Sequence, residues 1–204
     1  MPDRVKDRAA IIFGGGQTPG ETIGNGRATA ILLAREGARL MVVDRDLGAA
    51  EETAAIIRGE GGQAVAFAAQ ITEESQVRDA IAACLSTFGR IDILHNNVGA
   101  SLALGDASAT DLTVEAFDQI VAVNLRGMWL ACKHAIPVMR EQRSGSIVNI
   151  SSMAVRSAYP YIGYKTTKAG VISLTENIAS ANARYGIRAN VILPGLMNTP
   201  MAIE

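Results

Sequence analysis

The sequence is poor in aromatic residues and cysteine, and it has no excess of charge of either sign. Two cysteines in 204 residues, Cys84 and Cys132, exclude a disulfide-rich scaffold; both lie in helix-like segments and are interpreted as reduced core thiols. The net charge of −1 and the absence of lysine and arginine clusters argue against nucleic acid or an acidic membrane as the main partner. No run of about 18 apolar residues is present, so the sequence predicts no membrane span.

Two further absences narrow the class of protein. The first residues lack the apolar stretch of a secretory signal, which favours a cytoplasmic protein. No group of His, Cys, Asp and Glu residues has the spacing of metal ligands, so no metal site is predicted. The two histidines, His95 and His134, are interpreted as structural side chains, with a position beside a cofactor as the alternative for His95.

The sequence does contain a regular alternation of short β-rich runs and longer helical patterns. Strands are predicted at Ala9–Gly14, Arg39–Asp44, Ala64–Ala68, Ile91–His95, Ser146–Ser151 and Arg188–Leu193. Helices are predicted at Gly26–Glu36, Leu47–Arg58, Glu73–Phe88 with Thr72 as its cap, in one or two pieces over Val114–Gln142, and at Tyr164–Tyr185. Strands separated by helices predict a three-layer αβα fold, with helices on both faces of a doubly wound parallel sheet.

A glycine-rich turn joins the first predicted strand to the first helix. Gly14, Gly24 and Gly26 allow the backbone to approach a pyrophosphate, whose charge is favoured at a helix N-terminus. The order of strand, glycine turn and helix is typical of a dinucleotide-binding Rossmann fold. Gly14 and Gly24 are ten positions apart, so the turn holds an insertion at Gly15–Ile23. A glycine turn without a ligand is the alternative interpretation.

Asp44 ends the second predicted strand. A carboxylate at this place can accept hydrogen bonds from both hydroxyls of the adenosine ribose, and it repels a 2′-phosphate. We therefore predict a single NAD(P)-binding domain over residues 1–204, with NAD favoured over NADP as the cofactor. The neighbouring Arg45 leaves NADP open because a guanidinium can hold a phosphate, and a solvated turn residue is the alternative for Asp44.

Tyr164 and Lys168 lie four positions apart in a predicted helix and therefore share one face of it. The ammonium group of Lys168 is expected to lower the pKa of the Tyr164 phenol from its usual value of about 10. A phenol adjusted in this way can pass a proton to or from an alcohol oxygen. The pair Ser151 and Ser152 lies one strand-to-helix turn upstream and supplies a hydroxyl nearby.

Together these residues resemble the short-chain dehydrogenase/reductase family over nearly the whole chain. The matching elements, in chain order, are Gly14…Gly24-Asn25-Gly26, Asp44, Asn96-Asn97-Val98-Gly99, Asn124-Leu125-Arg126-Gly127, Asn149-Ile150-Ser151-Ser152, Tyr164…Lys168 and Pro194-Gly195…Thr199-Pro200. The resemblance implies an oxidoreductase that transfers a hydride between NAD(H) and a small secondary alcohol or ketone. It also implies a homo-oligomer, a dimer or a tetramer, formed through two long helices, on one of which Met128 and Trp129 lie.

The resemblance assigns catalytic roles to four residues. It implies that Tyr164 is the proton donor or acceptor, and that Lys168 lowers the pKa of Tyr164 and binds the nicotinamide ribose. Ser152 would hold the substrate oxygen by hydrogen bonding, because its position at the strand end matches the family. Ser151 is the alternative, because it has the usual family spacing of thirteen residues to the tyrosine. Asn124 would support a proton relay through water.

The resemblance also implies a set of cofactor-binding residues, which are Gly14, Gly24, Asn25, Gly26, Asp44, Gln70, Ile71, Asn96, Val98, Gly99, Tyr164, Lys168, Pro194, Leu196 and Thr199. The chain departs from the family pattern where Phe13 replaces a threonine, Val98 an alanine, and Gln70 an aspartate that meets the adenine amino group. The amide oxygen of Gln70 can still accept that bond. Most members are longer, and we expect the C-terminal strand and lid segment of the family to be absent from this chain.

Two other functions are compatible with these residues. One is a dinucleotide-binding regulator or scaffold without turnover, against which the intact set of four catalytic residues argues. The other is an epimerase or dehydratase that uses the same Tyr164–Lys168 pair. Substrate is expected to pass the loop before Tyr164, so four side chains there are candidates for specificity, with plain loop packing as the alternative: Met153, Arg156, Tyr159 and Tyr161.

Overall fold

The computed structural model describes residues 3–200, and a six-stranded parallel sheet forms its centre. The strands are β1 (Ala9–Phe13), β2 (Arg39–Asp44), β3 (Gln63–Ala68), β4 (Ile93–Asn96), β5 (Gly145–Ile150) and β6 (Ile187–Ile192). They lie in the order β3-β2-β1-β4-β5-β6, so the order reverses between β1 and β4. The predicted doubly wound sheet is therefore confirmed.

Within the same residues, helices connect successive strands. They are α1 (Asn25–Arg35), α2 (Leu47–Gly59), α3 (Glu74–Phe88), α4 (Val114–Val121), α5 (Gly127–Gln142) and α6 (Ile162–Asn182). The helical pattern predicted over Val114–Gln142 is divided into α4 and α5 by a π-helical turn at Ala122–Arg126. Such wide turns are frequent at functional sites.

Alternate residues of the central strands face two separate hydrophobic layers. On β1, Ala10 and Ile12 pack with α1 and α2, whereas Ile11 and Phe13 pack with α3 and α5. All four side chains are buried, as expected for a strand that is covered on both faces. Because every strand runs in the same direction, their carboxyl ends meet at one edge of the sheet.

Most predicted boundaries differ from the observed ones by one or two residues. The prediction that Thr72 caps α3 is wrong, because Glu73 is the cap residue and the Thr72 hydroxyl instead donates to the Glu73 carboxylate at 3.3 Å. Strand β4 begins at Ile93 rather than Ile91. The backbone nitrogen of Ile91 is bonded to the side chain of Gln142 at 2.9 Å, which takes it out of the ladder.

Between Asp3 and Pro200, no helix is both long and apolar enough to cross a membrane, and no three metal-binding side chains come together. Cys84 and Cys132 are buried in the hydrophobic core, as predicted. Burial raises the pKa of each thiol to about 12, so both stay protonated at neutral pH.

The two histidines lie in structural surroundings. His95 on β4 is buried, and burial lowers its pKa to about 4. His134 on α5 lies 3.0 Å from the carboxylate of Glu74 on α3, which also bonds to Lys133. These surroundings agree with the structural interpretation of both side chains.

Candidate active site

The predicted site residues meet at the carboxyl edge of the sheet. Gly14 follows β1, Asp44 ends β2, Asn96 ends β4 and Ser152 follows β5, while Tyr164 lies in the first turn of α6. The crevice between β1 and β4 lies where the strand order reverses. This is the usual ligand site of an open α/β sheet.

The glycine turn brings two backbone segments into contact. A Cβ atom on Gly26 would lie 1.8 Å from the carbonyl oxygen of Gly14, so no other residue fits at position 26. The same carbonyl accepts a hydrogen bond from Asn97 at 3.2 Å, and Gly14 has a positive φ of 76°. The N-terminus of α1 therefore lies directly beside the end of β1. This geometry fits a dinucleotide, whose pyrophosphate needs such a close backbone approach.

The inserted loop is closed by Gln17, which sequence reasoning missed. Its side-chain nitrogen donates to the carbonyl oxygens of Thr18 at 2.9 Å and Thr22 at 2.8 Å, and its side-chain oxygen accepts from Gly24 N at 2.9 Å. Glu21 is exposed to solvent, which screens its charge. Residue spacing contains no signal for Gln17, because its partners are backbone groups of an insertion.

Asp44 faces the glycine turn. Its two carboxylate oxygens accept from Gly16 N at 3.1 Å and from Asp46 N at 3.2 Å, respectively. A Cβ atom on Gly16 would lie 2.7 Å from the Asp44 carboxylate, so glycine is required for this approach. Arg45 next to it is exposed to solvent.

Two adjacent residues that are predicted to bind the cofactor, Gln70 and Ile71, have different surroundings. Gln70 is exposed after β3, and its backbone nitrogen donates to the side chain of Gln76 at 2.8 Å. Ile71 is buried against α5, where a Cβ on Gly127 would lie 2.7 Å from it. The side chain of Ile71 is therefore engaged in packing, and its assignment to the cofactor can concern its backbone alone.

The residues at the end of β4 and directly after it contact β5, the glycine turn and Lys168. Asn96 is buried and donates to Asn149 of β5 at 2.8 Å, so its side chain ties two central strands together. A Cβ on Gly14 would lie 3.0 Å from the side chain of Val98, which therefore contacts the glycine turn. A Cβ on Gly99 would lie 2.8 Å from the amine of Lys168. A glycine at position 99 thus leaves room for that amine.

Asn124 lies in the π-helical turn and is completely buried. Its amide oxygen accepts from Ala100 N at 2.8 Å, and its amide nitrogen donates to Ala100 O at 2.8 Å and to the Thr167 hydroxyl at 3.2 Å. Both hydrogens of the amide are therefore engaged by the protein. The side chain fixes the loop after β4 to α6, and the water relay through Asn124 stays a prediction.

The two serines after β5 have different surroundings. The Ser151 hydroxyl is buried and donates to the carbonyl oxygen of Lys168 at 2.6 Å. The Ser152 hydroxyl accepts from Ala154 N at 3.1 Å and lies beside the phenol of Tyr164, whose pKa it lowers. Ser152 thus has a hydroxyl beside the predicted acid–base group, whereas that of Ser151 is used in a structural bond.

Tyr164 and Lys168 are neighbours on α6, with the lysine amine 5.6 Å from the centre of the tyrosine ring. The amine donates to the carbonyl oxygens of Ile150 at 2.9 Å and Val98 at 3.4 Å. Burial lowers the pKa of Lys168 to about 7. Burial also raises the pKa of Tyr164, which the Ser152 hydroxyl opposes and the nearby Tyr159 reinforces.

The direction of the Tyr164 pKa shift corrects the sequence-based expectation. Lys168 was expected to lower this pKa, but the loss of hydration on burial is the largest cause and raises it. Spacing on a helix shows that two side chains share a face, and it does not show how much water each one loses.

Aromatic side chains line the approach to Tyr164. The ring of Tyr159 lies 5.6 Å from that of Tyr164 and 5.4 Å from that of Tyr161, the latter edge to face. Met153 and Arg156, in the same loop, are exposed. Three of the four side chains predicted to determine specificity are aromatic or apolar, and Arg156 is charged.

The segment after β6 is tied to the serine loop. Pro194 O accepts from Met153 N at 2.9 Å. Leu196 is 93% exposed, whereas Thr199 is buried and its backbone nitrogen bonds to Met197 O at 2.9 Å. This segment extends from the serine loop along the edge of the site.

Asp106 is a further residue of the site that sequence reasoning missed. It is buried in the loop between β4 and α4, and one of its carboxylate oxygens accepts from Tyr164 N at 2.8 Å. The two residues are 58 positions apart, so no local pattern reveals the contact.

Comparison with known proteins agrees with this geometry. The chain matches the short chain dehydrogenase family over residues 9–204. Levodione reductase from Leifsonia aquatica is 39% identical over 202 residues, covering 97% of this chain and 72% of that protein. The 7alpha-hydroxysteroid dehydrogenase of Clostridium sardiniense is 36% identical over 202 residues, covering 98% and 75%. The crystal structure of NAD+-bound xylitol dehydrogenase superposes with a TM-score of 0.87 at 32% identity, covering 96% and 72%.

Proposed function

Because the chain belongs to the short-chain dehydrogenase family and is an oxidoreductase acting on CH–OH groups, we propose that it interconverts a small secondary alcohol and its ketone with NAD(H). The observation that carries the proposal is the placement of Ser152, Tyr164 and Lys168 together at the dinucleotide crevice. A binding protein without turnover has no need of an acid–base tyrosine beside a serine hydroxyl and a buried amine.

Different residues of the chain would bind different parts of the cofactor. A bound nicotinamide dinucleotide supplies the redox chemistry, by exchanging a hydride with the substrate carbon. The turn around Gly14 and Gly26 would hold its pyrophosphate, and Asp44 its adenosine ribose. Lys168 would hold the nicotinamide ribose, and the segment containing Leu196 and Thr199 the carboxamide. These assignments follow from the positions of the six residues along the carboxyl edge of the sheet.

Tyr164 is assigned the proton transfer. Its raised pKa keeps the phenol protonated at neutral pH, so it can donate a proton to a ketone oxygen as the carbon is reduced. In the oxidation direction the alcohol proton passes to the phenolate, which the ammonium form of Lys168 stabilises. Ser152 would bind the substrate oxygen through its hydroxyl, whose oxygen is held in place by the bond from Ala154 N.

The preference for NAD rests on Asp44. Its carboxylate is held between the glycine turn and the start of α2, where it accepts from Gly16 N and Asp46 N. A fixed negative charge at this place opposes a 2′-phosphate and favours two ribose hydroxyls. The likeness to an NAD+-bound xylitol dehydrogenase supports the same choice.

The substrate is proposed to be uncharged. Tyr159, Tyr161 and Met153 lie on the approach to Tyr164, and none of them carries a charge at neutral pH. Such an aromatic wall favours apolar or cyclic alcohols and ketones over anionic ones.

A homo-oligomer, a dimer or a tetramer, is proposed to form through α5 and α6. Trp129 on α5 is 44% exposed and borders a cavity of about 330 Å³ between the two helices, whereas Met128 is buried within the subunit. An exposed tryptophan beside a helix-lined groove is typical of a protein interface. Light scattering coupled to gel filtration tests this, with a monomer as the contrary result.

The function is tested by titration with NADH and NADPH, followed by absorbance at 340 nm with a panel of alcohols and ketones. We expect selective binding of NADH and turnover of secondary alcohols or cyclic ketones. Binding without any turnover would favour a regulator, and equal or tighter binding of NADPH would contradict the cofactor assignment.

A further inference from the structure

The start of helix α6 is held by a distant loop rather than by its own cap. The cap residue, Tyr161, makes no side-chain hydrogen bond to the helix. Instead, Ile162 N donates to Ala107 O at 3.0 Å, while Gly163 N and Tyr164 N donate to the two carboxylate oxygens of Asp106 at 2.9 and 2.8 Å. The first three backbone donors of α6, which no helix can satisfy internally, are thus taken by residues 106 and 107.

The carboxylate of Asp106 accepts four hydrogen bonds. Besides the two helix bonds, it accepts from the Ser101 hydroxyl at 2.9 Å and from Ala107 N at 3.0 Å. The side chain is nearly completely buried, and a buried carboxylate is tolerated only when it is hydrogen-bonded in this way. Its negative charge also complements the positive end of the α6 dipole.

The approach of the helix to Asp106 depends on a glycine. A Cβ atom on Gly163 would lie 2.9 Å from the Asp106 carboxylate and 2.8 Å from Ile120. A larger residue at position 163 would push the carboxylate away from the helix. The two residues therefore form one fitted contact, directly before Tyr164 in the chain.

The loop between β4 and α4 is also bonded to the helices near its beginning, at Ala100. Ala100 is bonded through both of its backbone groups to Asn124, and Asn124 is bonded in turn to Thr167, one turn after Gly163 on α6. The Thr167 hydroxyl also bonds to Gly163 O at 2.8 Å. The loop and the first turns of α6 therefore behave as one connected unit.

We propose that Asp106 is the positioning residue for Tyr164, holding the first turn of α6 so that the phenol faces Ser152. This inference rests on the proposed function, because it concerns the proton-transfer geometry of that site. Displacing a catalytic group by about 1 Å can lower the rate of a reaction about a hundredfold. A negative charge that holds the backbone of Tyr164 itself thus acts on turnover without touching the substrate.

The test compares Asp106→Asn with Asp111→Asn, a carboxylate exposed in the same loop. In Asp106→Asn one oxygen becomes an amide nitrogen, which meets backbone donors instead of accepting from them. We expect kcat to fall about 10–100-fold, while KM and the Kd of NADH change less than about threefold. Rates are measured well below the melting temperature of each variant. Asp111→Asn is expected to behave as wild type.

A second readout does not depend on turnover. Hydrogen–deuterium exchange over residues 160–170 is expected to accelerate in Asp106→Asn and to remain unchanged in Asp111→Asn. If Asp106→Asn fails to fold, Ser101→Ala removes a single donor and should show the same fall in kcat on a smaller scale. Gly163→Ala should reproduce the Asp106→Asn result.

The outcomes separate the two proposals. Wild type that binds NADH but turns over no substrate contradicts the proposed function, and the exchange measurement still decides whether Asp106 holds α6. Wild-type kcat and exchange in both Asp106→Asn and Gly163→Ala would overturn the positioning role. A lowered Tm with unchanged kcat would reduce Asp106 to a helix cap and overturn it as well.

Discussion

The side-chain nitrogen of Lys168 lies 2.9 Å from the carbonyl oxygen of Ile150, in a position that is 2% exposed. Burial lowers the pKa of this amine to about 7 from 10.5. Between these values the unfolded chain binds a proton that the folded chain does not. The free energy of unfolding therefore rises with pH in this window, by up to about 1.4 kcal/mol per pH unit. This contribution is complete above 10.5 and is lost as the pH falls to about 7.

The replacement Lys168→Met removes this pH dependence. The free energy of unfolding of wild type relative to the variant is expected to increase by about 2–3 kcal/mol between pH 7 and pH 9, as measured by urea unfolding at both pH values. The series stops there because Tyr164, whose pKa is raised, contributes with the opposite sign above about 10. Lys6→Met, on the exposed surface, is the control. A constant difference would show that Lys168 stays charged in the fold.

Replacing Tyr164 by phenylalanine is expected to lower kcat by about 10²–10⁴-fold, the usual contribution of a general acid–base group. Binding of NADH should change little, because the phenyl ring fills the same space. Tyr185→Phe is the matched control. Tyr185 lies after the end of α6, and its ring packs with Arg140 of α5. The measurements are kcat and the calorimetric Kd of NADH for both variants. Retained turnover in Tyr164→Phe would contradict the role of Tyr164 in proton transfer.

The serine pair offers a direct comparison. Ser152→Ala deletes the hydroxyl beside the Tyr164 phenol, and we expect kcat to fall; losing the bond from Ala154 N lowers the free energy of unfolding by about 0.5–1 kcal/mol. Ser151→Ala deletes a buried bond to Lys168 O, which is expected to lower the free energy of unfolding by about 1 kcal/mol or more. Kinetics and urea unfolding of both variants distinguish them. The reverse pattern would transfer the catalytic role to Ser151.

Cofactor choice is expected to depend on Asp44. In Asp44→Ala the ribose loses a charged acceptor, so NADH should bind about 10–100-fold more weakly. NADPH should lose less, because the repulsion of its phosphate is removed at the same time. Competitive titration of both cofactors measures the ratio, with Asp79→Ala on α3 as a surface control. An unchanged ratio would assign the preference to other residues.

The inserted loop should lose its shape in Gln17→Ala. This change removes three hydrogen bonds, including the acceptor of Gly24 N at the start of α1. Backbone amides of residues 17–24 are expected to exchange faster, and NADH should bind about 5–10-fold more weakly because the turn is less preorganised. Gln119→Ala, exposed on α4, serves for comparison. Equal exchange in both variants would mean that the loop holds its shape without this side chain.

Groups that belong to one local pattern were predictable from the sequence. Gly14 and Gly26 flank a single turn, and Tyr164 and Lys168 lie on one helix face, so their spacing alone indicates that each pair meets. The alternation of strands and helices likewise predicts the doubly wound sheet, whose strand order the structure confirms. In these cases the covalent chain itself brings the groups together.

Groups that meet through tertiary packing were not predictable. Asp106 contacts α6 across 58 residues, and Ile71 is withdrawn beneath Gly127 by helix packing. The direction of the Tyr164 pKa was mispredicted for a related reason, since burial depends on everything that surrounds a side chain. Hydration is a property of the folded environment, and spacing in a sequence carries no measure of it.

The contact between Gly20 and Pro200 has a kinetic consequence. A Cβ on Gly20 would lie 2.9 Å from the Pro200 ring, so the inserted loop after β1 touches the segment after β6. Strands β4 and β5 lie between those two elements, and the contact therefore arches over their ends. A dinucleotide bound beneath this contact would be released by the separation of the two backbone segments. Its dwell time would then depend on that separation as well as on its own contacts.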